Sequence, residues 1–353
     1  MSDAKRWIKP EIQALKAYAV ADATGMIKLD AMENPYAWPA SLLQEWLMAL
    51  TQAELNRYPD PHASKLKNQI RKTIGIADKY DILLGNGSDE LIQLLILAVQ
   101  GAQRSVLAPS PSFVMYELVA KMASMNFIGV DLLPSLQLNM PAMLQEIKTH
   151  QPALIFVAHP NNPTGQIYLE ADLRAILQIA EGLVVIDEAY APFTSANALP
   201  LLDEFDNLVV LRTFSKMGLA GLRLGYLVGR AEWLNEFEKL RLPYNINSLT
   251  QISVEFALQN YAVFIRQTQK ICAQRVWLIE QLRSLNIFQV WESEANFILV
   301  KSLQESATDI FQRLKQKNIL VKNCHGAHPL LDNCLRFSVG TESENQRLVD
   351  VLK

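Results

Sequence analysis

The sequence predicts an α/β protein: a large domain with a mostly parallel sheet flanked by helices, a smaller α+β C-terminal domain, and an N-terminal arm. Three observations predict it. Between residues 81 and 211, short apolar runs alternate with stretches of helical length, and strand and helix in turn build a parallel sheet covered on both faces. The polar motifs of that region each follow an apolar run, at the strand ends where such sheets bind ligands. After Arg241-Leu242-Pro243-Tyr244 the alternation gives way to two successive helices and then to separated strands. The chain therefore divides into an arm over 1–40, a large domain over 41–247 and a small domain over 248–353.

In the arm, the pattern predicts a short helix over 11–20 and an extended stretch over 27–29, leading to Glu33-Asn34-Pro35-Tyr36. Ser41 is expected to cap a helix ending near 49. Tyr58-Pro59-Asp60-Pro61 is an extended turn, because each Pro disfavours helix in the residue before it. A helix follows over 64–72. The large domain begins with a strand over 81–84, a tight Gly85-Asn86-Gly87 turn and an apolar helix over 88–100. Strands are then expected at 105–108, 127–130, 153–158, 183–186 and 207–211, with helices near 113–125, 140–149 and 169–180 and a further strand from about 224. In the small domain the expectation is helices over 249–257 and 261–285, then strands near 296–300, 319–321 and 335–339. No repeat or low-complexity segment interrupts the chain.

With 353 residues, half of them apolar, the chain can bury a large core. A net charge of -3 gives no general attraction to nucleic acid or to an anionic membrane, so a phosphorylated ligand needs a local basic site. Cys272, Cys324 and Cys334 lack metal-type spacing and read as free thiols, and no metal site is expected. The N-terminus has no apolar core of signal-peptide length, and the run over 91–99 is too short for a bilayer. A cytoplasmic protein is expected.

The chemistry centres on Leu211 to Gly229. A strand delivers Thr213, Ser215 and Lys216 to its end, and small residues bracket Arg223. An amine can attack an aldehyde, while hydroxyls and a guanidinium are donors for a phosphate dianion, and pyridoxal 5'-phosphate carries both groups. The alternative is a basic surface turn. Strand, Gly87 and helix start at Ser88 and Asp89 form a second anion site, unless Ser88, Asp89 and Glu90 only cap their own helix. Asp187, at the end of Val184-Val185-Ile186, is placed to hold the proton of a pyridine nitrogen, or else caps a helix. Asn162 and Tyr190 can donate to a phenolate oxygen, and Phe113 can stack on a ring face or serve as ordinary core. Arg336, on an alternating strand, carries the planar fork that matches a carboxylate, or is an exposed strand Arg.

Asn161-Asn162-Pro163-Thr164-Gly165, Asp187-Glu188-Ala189-Tyr190 and Ser215-Lys216 with Arg223 together resemble the fold-type I, class I/II pyridoxal-phosphate aminotransferases. Within that family Glu33-Asn34-Pro35-Tyr36, Arg57-Tyr58-Pro59, Asn86-Gly87-Ser88-Asp89-Glu90, Gly221-Leu222-Arg223-Leu224-Gly225-Tyr226 and Asn333-Cys334-Leu335-Arg336 are similar to the histidinol-phosphate aminotransferases along nearly the whole chain. The resemblance implies exchange of an amino group between L-glutamate and imidazole-acetol phosphate, giving L-histidinol phosphate and 2-oxoglutarate in histidine biosynthesis, by a homodimer with its sites at the subunit interface. It implies Lys216 as the Schiff-base lysine and proton shuttle, Asp187 on the ring nitrogen, and Asn162 and Tyr190 on the phenolate oxygen. Ser88, Asp89, Thr213, Ser215 and Arg223 would hold the phosphate, with Tyr58 reaching the phosphate in the other subunit. Arg336 would take the glutamate or 2-oxoglutarate carboxylate, and Tyr18 with Lys322 the histidinol phosphate group. Two departures stand out: the segment from Lys216 to Arg223 is one residue shorter than the usual form, and position 322 is Lys where Arg is common. A threonine-phosphate decarboxylase would share the cofactor residues, and an aromatic-amino-acid aminotransferase is a third reading. A non-enzymatic regulator of this type would be expected to carry a DNA-binding domain before the arm.

Overall fold

The computed structural model describes residues 4–17 and 20–353. In chain order it comprises α1 (Pro10–Gln13), β1 (Ile27–Leu29), α2 (Ala40–Leu50), α3 (Ser64–Ile74), β2 (Asp81–Asn86), α4 (Ser88–Val99), β3 (Ser105–Ser110), α5 (Met115–Met122), β4 (Asn126–Asp131), α6 (Met140–His150), β5 (Leu154–Ala158) and α7 (Glu170–Ile179). It continues with β6 (Leu183–Asp187), β7 (Leu208–Thr213), β8 (Leu224–Gly229), α8 (Ala231–Glu238), α9 (Ser248–Gln259), α10 (Tyr261–Ser284), β9 (Phe288–Val290), β10 (Phe297–Ser302), α11 (Ala307–Gln316), β11 (Ile319–Asn323), β12 (Cys334–Ser338) and α12 (Glu342–Leu352).

Seven strands form the large sheet in the order β2-β8-β7-β6-β5-β3-β4. Only β8 runs against its neighbours, pairing antiparallel with β2 and β7, so the mostly parallel sheet expected from the alternation is present. Every position of β5 and β6 is buried, which requires cover on both faces. Alternate residues accordingly feed two cores: Ile155, Val157, Val184 and Ile186 one, Leu154, Phe156, Leu183 and Val185 the other.

The small sheet is ordered β1-β11-β12-β10-β9, with β1 of the arm pairing parallel to β11 as Ile27↔Ile319. The arm thus enters the small domain's core through Leu29 and Met32. Val254, Ala257 and Leu258 of α9 and Phe264 of α10 belong to the large sheet's core, so that packing unit extends past residue 247 into α10.

Several elements differ from expectation. The helix expected over 11–20 is the four-residue α1, with none of its residues buried; an isolated helix that short needs tertiary cover. Residues 18 and 19 lie outside the described residues. Ser41 is not a cap, since α2 starts at Ala40 behind Pro39. The helix near 113–125 is only α5, closed before Ser124, whose φ is 55°. The elements α8, β9, α11 and α12 were not expected; α12 had a readable signal in the Thr341/Glu344 capping box. Among the described residues no helix is long and apolar enough to cross a membrane.

Candidate active site

One end of the site is built by backbone shape. At Gly87 the chain turns with φ of 88° from β2 into α4, whose first turn has no side-chain cap. A Cβ at Gly87 would sit 2.5 Å from Arg223 Nη2, and one at Gly225 would sit 2.6 Å from the Ser88 nitrogen. Only glycine therefore lets β8 lie against the start of α4 and lets the Arg223 guanidinium lie against the turn. Unpaired N–H groups of a helix start and a guanidinium converge there, a ready anion site. Thr213, at the end of β7, adds a hydroxyl that donates to the Leu224 carbonyl at 3.1 Å and lies 3.0 Å from Ser215 Oγ. The Ser215 N–H donates to Thr213 Oγ1 at 3.2 Å. Asp89 Oδ2 is 3.4 Å from Arg223 Nη2 and keeps that side chain over the helix start.

Ser88, Asp89, Phe113, Asn162, Asp187, Tyr190, Thr213, Ser215, Lys216 and Arg223 all line one cavity of about 230 Å³. At one side Asp187 is buried, accepting from the Ala189 N–H at 3.0 Å and from the Tyr116 hydroxyl at 2.6 Å. Burial pushes its carboxyl up to about 6, while those two hydrogen bonds pull the other way. Among the described residues no cation forms an ion pair with it. Lys216 reaches in from beyond β7, its Nζ donating to the Ala31 carbonyl at 3.3 Å. Burial, reinforced by the Arg336 charge, pushes its amine down to about 8.

A buried hydrogen-bonded chain crosses the cavity. Asn162 Nδ2 donates to the Tyr190 hydroxyl at 3.1 Å, and Arg336 Nη1 donates to Asn162 Oδ1 at 2.5 Å. Arg336 Nη2 donates to the Asp30 carbonyl at 2.7 Å, and the guanidinium lies 5.2 Å from the Phe297 ring centroid. Arg336 Nε is buried without a partner among the described residues. A buried donor left open is a place for an acceptor from outside the chain.

These groups fit pyridoxal 5'-phosphate. The cation, hydroxyls and helix start suit its phosphate, the unpaired buried carboxylate suits a ring N–H⁺, and the lysine amine suits its aldehyde. Their observed grouping is what carries the fit, since a buried carboxylate with no cation is costly unless a ligand supplies one.

Three residues expected to take part stand apart from the cavity lining: Arg336, which reaches it through Asn162, and two others. Tyr58 is 80% exposed and stacks on Tyr244 with centroids 4.4 Å apart. Lys322 is exposed on β11, directly opposite Arg336 in the antiparallel register, so the two side chains share a face. Tyr18 lies outside the described residues. Gly87 backs the site rather than lining it. The Asn pair divides its work: Asn161 is spent on the Pro111 carbonyl and Thr164, leaving Asn162 for the cavity.

Sequence reasoning missed Tyr116 and the crossing segment at 30–34. Met32 accepts from Asn296 Nδ2 at 2.8 Å and donates to Ser338 Oγ at 2.9 Å, while Asn34 Nδ2 donates to the Met217 carbonyl. Nothing local in the chain signals that crossing, because it depends on β1 joining the small sheet. Glu188, next to Asp187, is buried and paired with Arg212, 2.6 Å away.

The profile of the family "Aminotransferase class I and II" matches residues 24–352. A histidinol-phosphate aminotransferase 2 of Nitrosococcus oceani is 48% identical over 348 residues, covering 99% of this chain and 97% of its own. A histidinol-phosphate aminotransferase of Chromobacterium violaceum is 46% identical over 346 residues, covering 98% and 97%. Among solved structures, the histidinol-phosphate aminotransferase from Sinorhizobium meliloti in complex with pyridoxal-5'-phosphate superposes with a TM-score of 0.87 at 22% identity, covering 98% of this chain and 96% of that one. The L-threonine-O-3-phosphate decarboxylase from Porphyromonas gingivalis shares the fold with a TM-score of 0.79 at 22% identity, covering 93% and 98%. With a family profile spanning nearly all of its length and a cavity that gathers the family's motif residues, the chain belongs to the class I and II aminotransferases.

Proposed function

We propose that the chain is a histidinol-phosphate aminotransferase, exchanging an amino group between L-glutamate and imidazole-acetol phosphate to give 2-oxoglutarate and L-histidinol phosphate. Pyridoxal 5'-phosphate is its cofactor. The observation that carries the reading is Arg336: a buried guanidinium near the lysine amine and hydrogen-bonded to Asn162, with one N–H left open. Near-full-length identity to proteins of that name supports the choice of substrate.

When bound, the cofactor supplies an electron-withdrawing ring that stabilises negative charge at the substrate's α-carbon. The chain does the rest. The α4 start, Thr213, Ser215 and Arg223 anchor the phosphate, and Phe113 covers a ring face. Asp187 holds a proton at the ring nitrogen, and the Asn162 amide and Tyr190 hydroxyl donate to the ring oxygen. Burial and the Arg336 charge favour the neutral Lys216 amine, and its Nζ takes the proton from the substrate α-carbon. Arg336 binds the glutamate carboxylate through its fork, and Lys322, opposite it in register, adds the charge a phosphate dianion needs. The exposed Tyr58 serves the cofactor phosphate of a second subunit, which makes the enzyme a homodimer.

The test is a pair of half-reactions on purified holoenzyme, followed by cofactor absorption. Glutamate and L-histidinol phosphate should each convert the bound cofactor to its amine form, and each 2-oxo product should reverse it. Release of carbon dioxide from phosphothreonine, with no response to histidinol phosphate, would hand the site to the decarboxylase reading.

A further inference from the structure

Behind Asp187 lies a contact that the cofactor seat does not require for binding. Tyr116 is wholly buried, and its hydroxyl donates to Asp187 Oδ2 at 2.6 Å. Its ring lies flat on Phe156 of β5, centroids 4.5 Å apart and planes 4° from parallel, and stands edge-on to Phe113 at 5.6 Å. Its backbone N–H bonds the Phe113 carbonyl at 3.2 Å, so one turn at the start of α5 carries both the residue that covers the cofactor ring and the one that reaches behind the carboxylate.

We propose that Tyr116 is a positioning residue that keeps Asp187 a weaker base than the cofactor's ring nitrogen, so that the shared proton stays on the ring. The proposal rests on Asp187 being the ring-nitrogen partner.

Tyr116 acts on Asp187 in two ways. Each Asp187 oxygen holds one protein donor, the Ala189 N–H and the Tyr116 hydroxyl, so the carboxylate plane is fixed with lone pairs free to face the cavity. The second is a balance of charge. Burial and the nearby carboxylates Asp89 and Glu188 all make the ionised carboxyl less favourable, and the Tyr116 hydrogen bond is the largest influence in the other direction. Without it, a basic carboxyl in an apolar wall would take the proton from the pyridine, leaving a neutral ring that withdraws electrons poorly. The phenol cannot itself ionise to compete, since burial and the Asp187 charge push it far above its ordinary value.

The experiment reads the proton rather than turnover. Holoenzyme loaded with cofactor labelled with nitrogen-15 in the ring reports protonation of that atom by its chemical shift. In Tyr116→Phe the resonance should move toward the unprotonated position, and in the cofactor-free full chain the Asp187 carboxyl, followed by carbon-13 NMR, should titrate about one to two pH units higher. Phe156→Leu removes the flat stack while keeping the phenol; it should lower stability with the nitrogen shift unchanged. An unmoved resonance in Tyr116→Phe, or equal movement in both variants, overturns the proposal. Should Tyr116→Phe not fold, 3-fluorotyrosine at the same position makes the phenol a stronger donor and must shift the carboxyl titration downward; no shift again overturns it. Asp187→Asn separates the two levels: if that variant leaves the ring nitrogen protonated, the assignment of Asp187 has failed and the role of Tyr116 falls with it, whereas loss of the proton in Asp187→Asn with an unmoved resonance in Tyr116→Phe overturns the role of Tyr116 alone.

Discussion

Lys216 and Asp187 show what burial does to single groups before any ligand arrives. The Lys216 amine, near 8 against an ordinary 10.5, disfavours the folded state below about pH 8, and that cost fades as pH rises toward 10.5. The Asp187 carboxyl, near 6 against 3.8, adds no cost below about pH 3.8, and its cost grows from there until it is complete above about pH 6. At pH 7 the site therefore opposes folding through both groups, and a ligand that meets both is stabilising. Substrate choice also belongs to single residues. Lys322→Met should raise the KM for histidinol phosphate roughly tenfold to a hundredfold more than the KM for glutamate, the worth of about 1.5 to 3 kcal/mol for a hydrogen bond with a charged group. Steady-state kinetics on both substrates checks it, and equal effects would remove Lys322 from phosphate recognition. Lys216, Asp187 and Arg223 were legible in the sequence because their chemistry is tied to short motifs. Tyr116 was not, because its role exists only where α5 meets the end of β6.

At the scale of elements, the strand ends sort side chains by face. Successive residues at the end of β6 diverge, so Asp187 turns to the cofactor cavity while Glu188 turns away from it to Arg212 at the end of β7. Glu188 is fully buried and also accepts from the Ala198 N–H, and its charge is what holds the Arg212 guanidinium in the charged form despite burial. This pair ties together the two strands that deliver Asp187 and Thr213. Arg212→Met should lower stability by about 3 to 5 kcal/mol by leaving a buried carboxylate unpaired, and Arg212→Met with Glu188→Leu should recover much of it. Denaturant unfolding of the single and double variants decides; a double variant no more stable than the single would mean that packing, not charge, sets the loss. The buried central strands were readable as apolar runs, whereas the ends of α2 and α5 were set by Pro39 and by the backbone at Ser124 rather than by hydrophobic period.

At the scale of the whole molecule, the proposed homodimer makes a prediction about Tyr58. Tyr58 and Tyr244 stack on each other at the surface, and Leu47, Met48, Leu55 and Leu242 are exposed large apolar side chains of the same domain. If Tyr58 completes a neighbour's site, inactive Lys216→Ala protein mixed with an inactive Tyr58→Ala protein should regain activity as subunits exchange, because one hybrid site is intact. Exchange without any recovery would place Tyr58 outside the site.

The sequence by itself determined the alternation that makes the large sheet, the strand-end placement of Asn162, Asp187, Thr213 and Lys216, and the glycine turn at Gly87. Each depends on local pattern: period, backbone freedom, or a residue type whose chemistry has few other uses. Tertiary structure alone decided that β1 joins the small sheet and carries residues 30–34 across the cavity, that Arg336 of β12 reaches Asn162 beyond β5, and that Tyr116 stands behind Asp187. Those contacts join residues 306, 174 and 71 positions apart in the chain. No local preference encodes them; they follow from how two cores, once packed, bring distant backbones together.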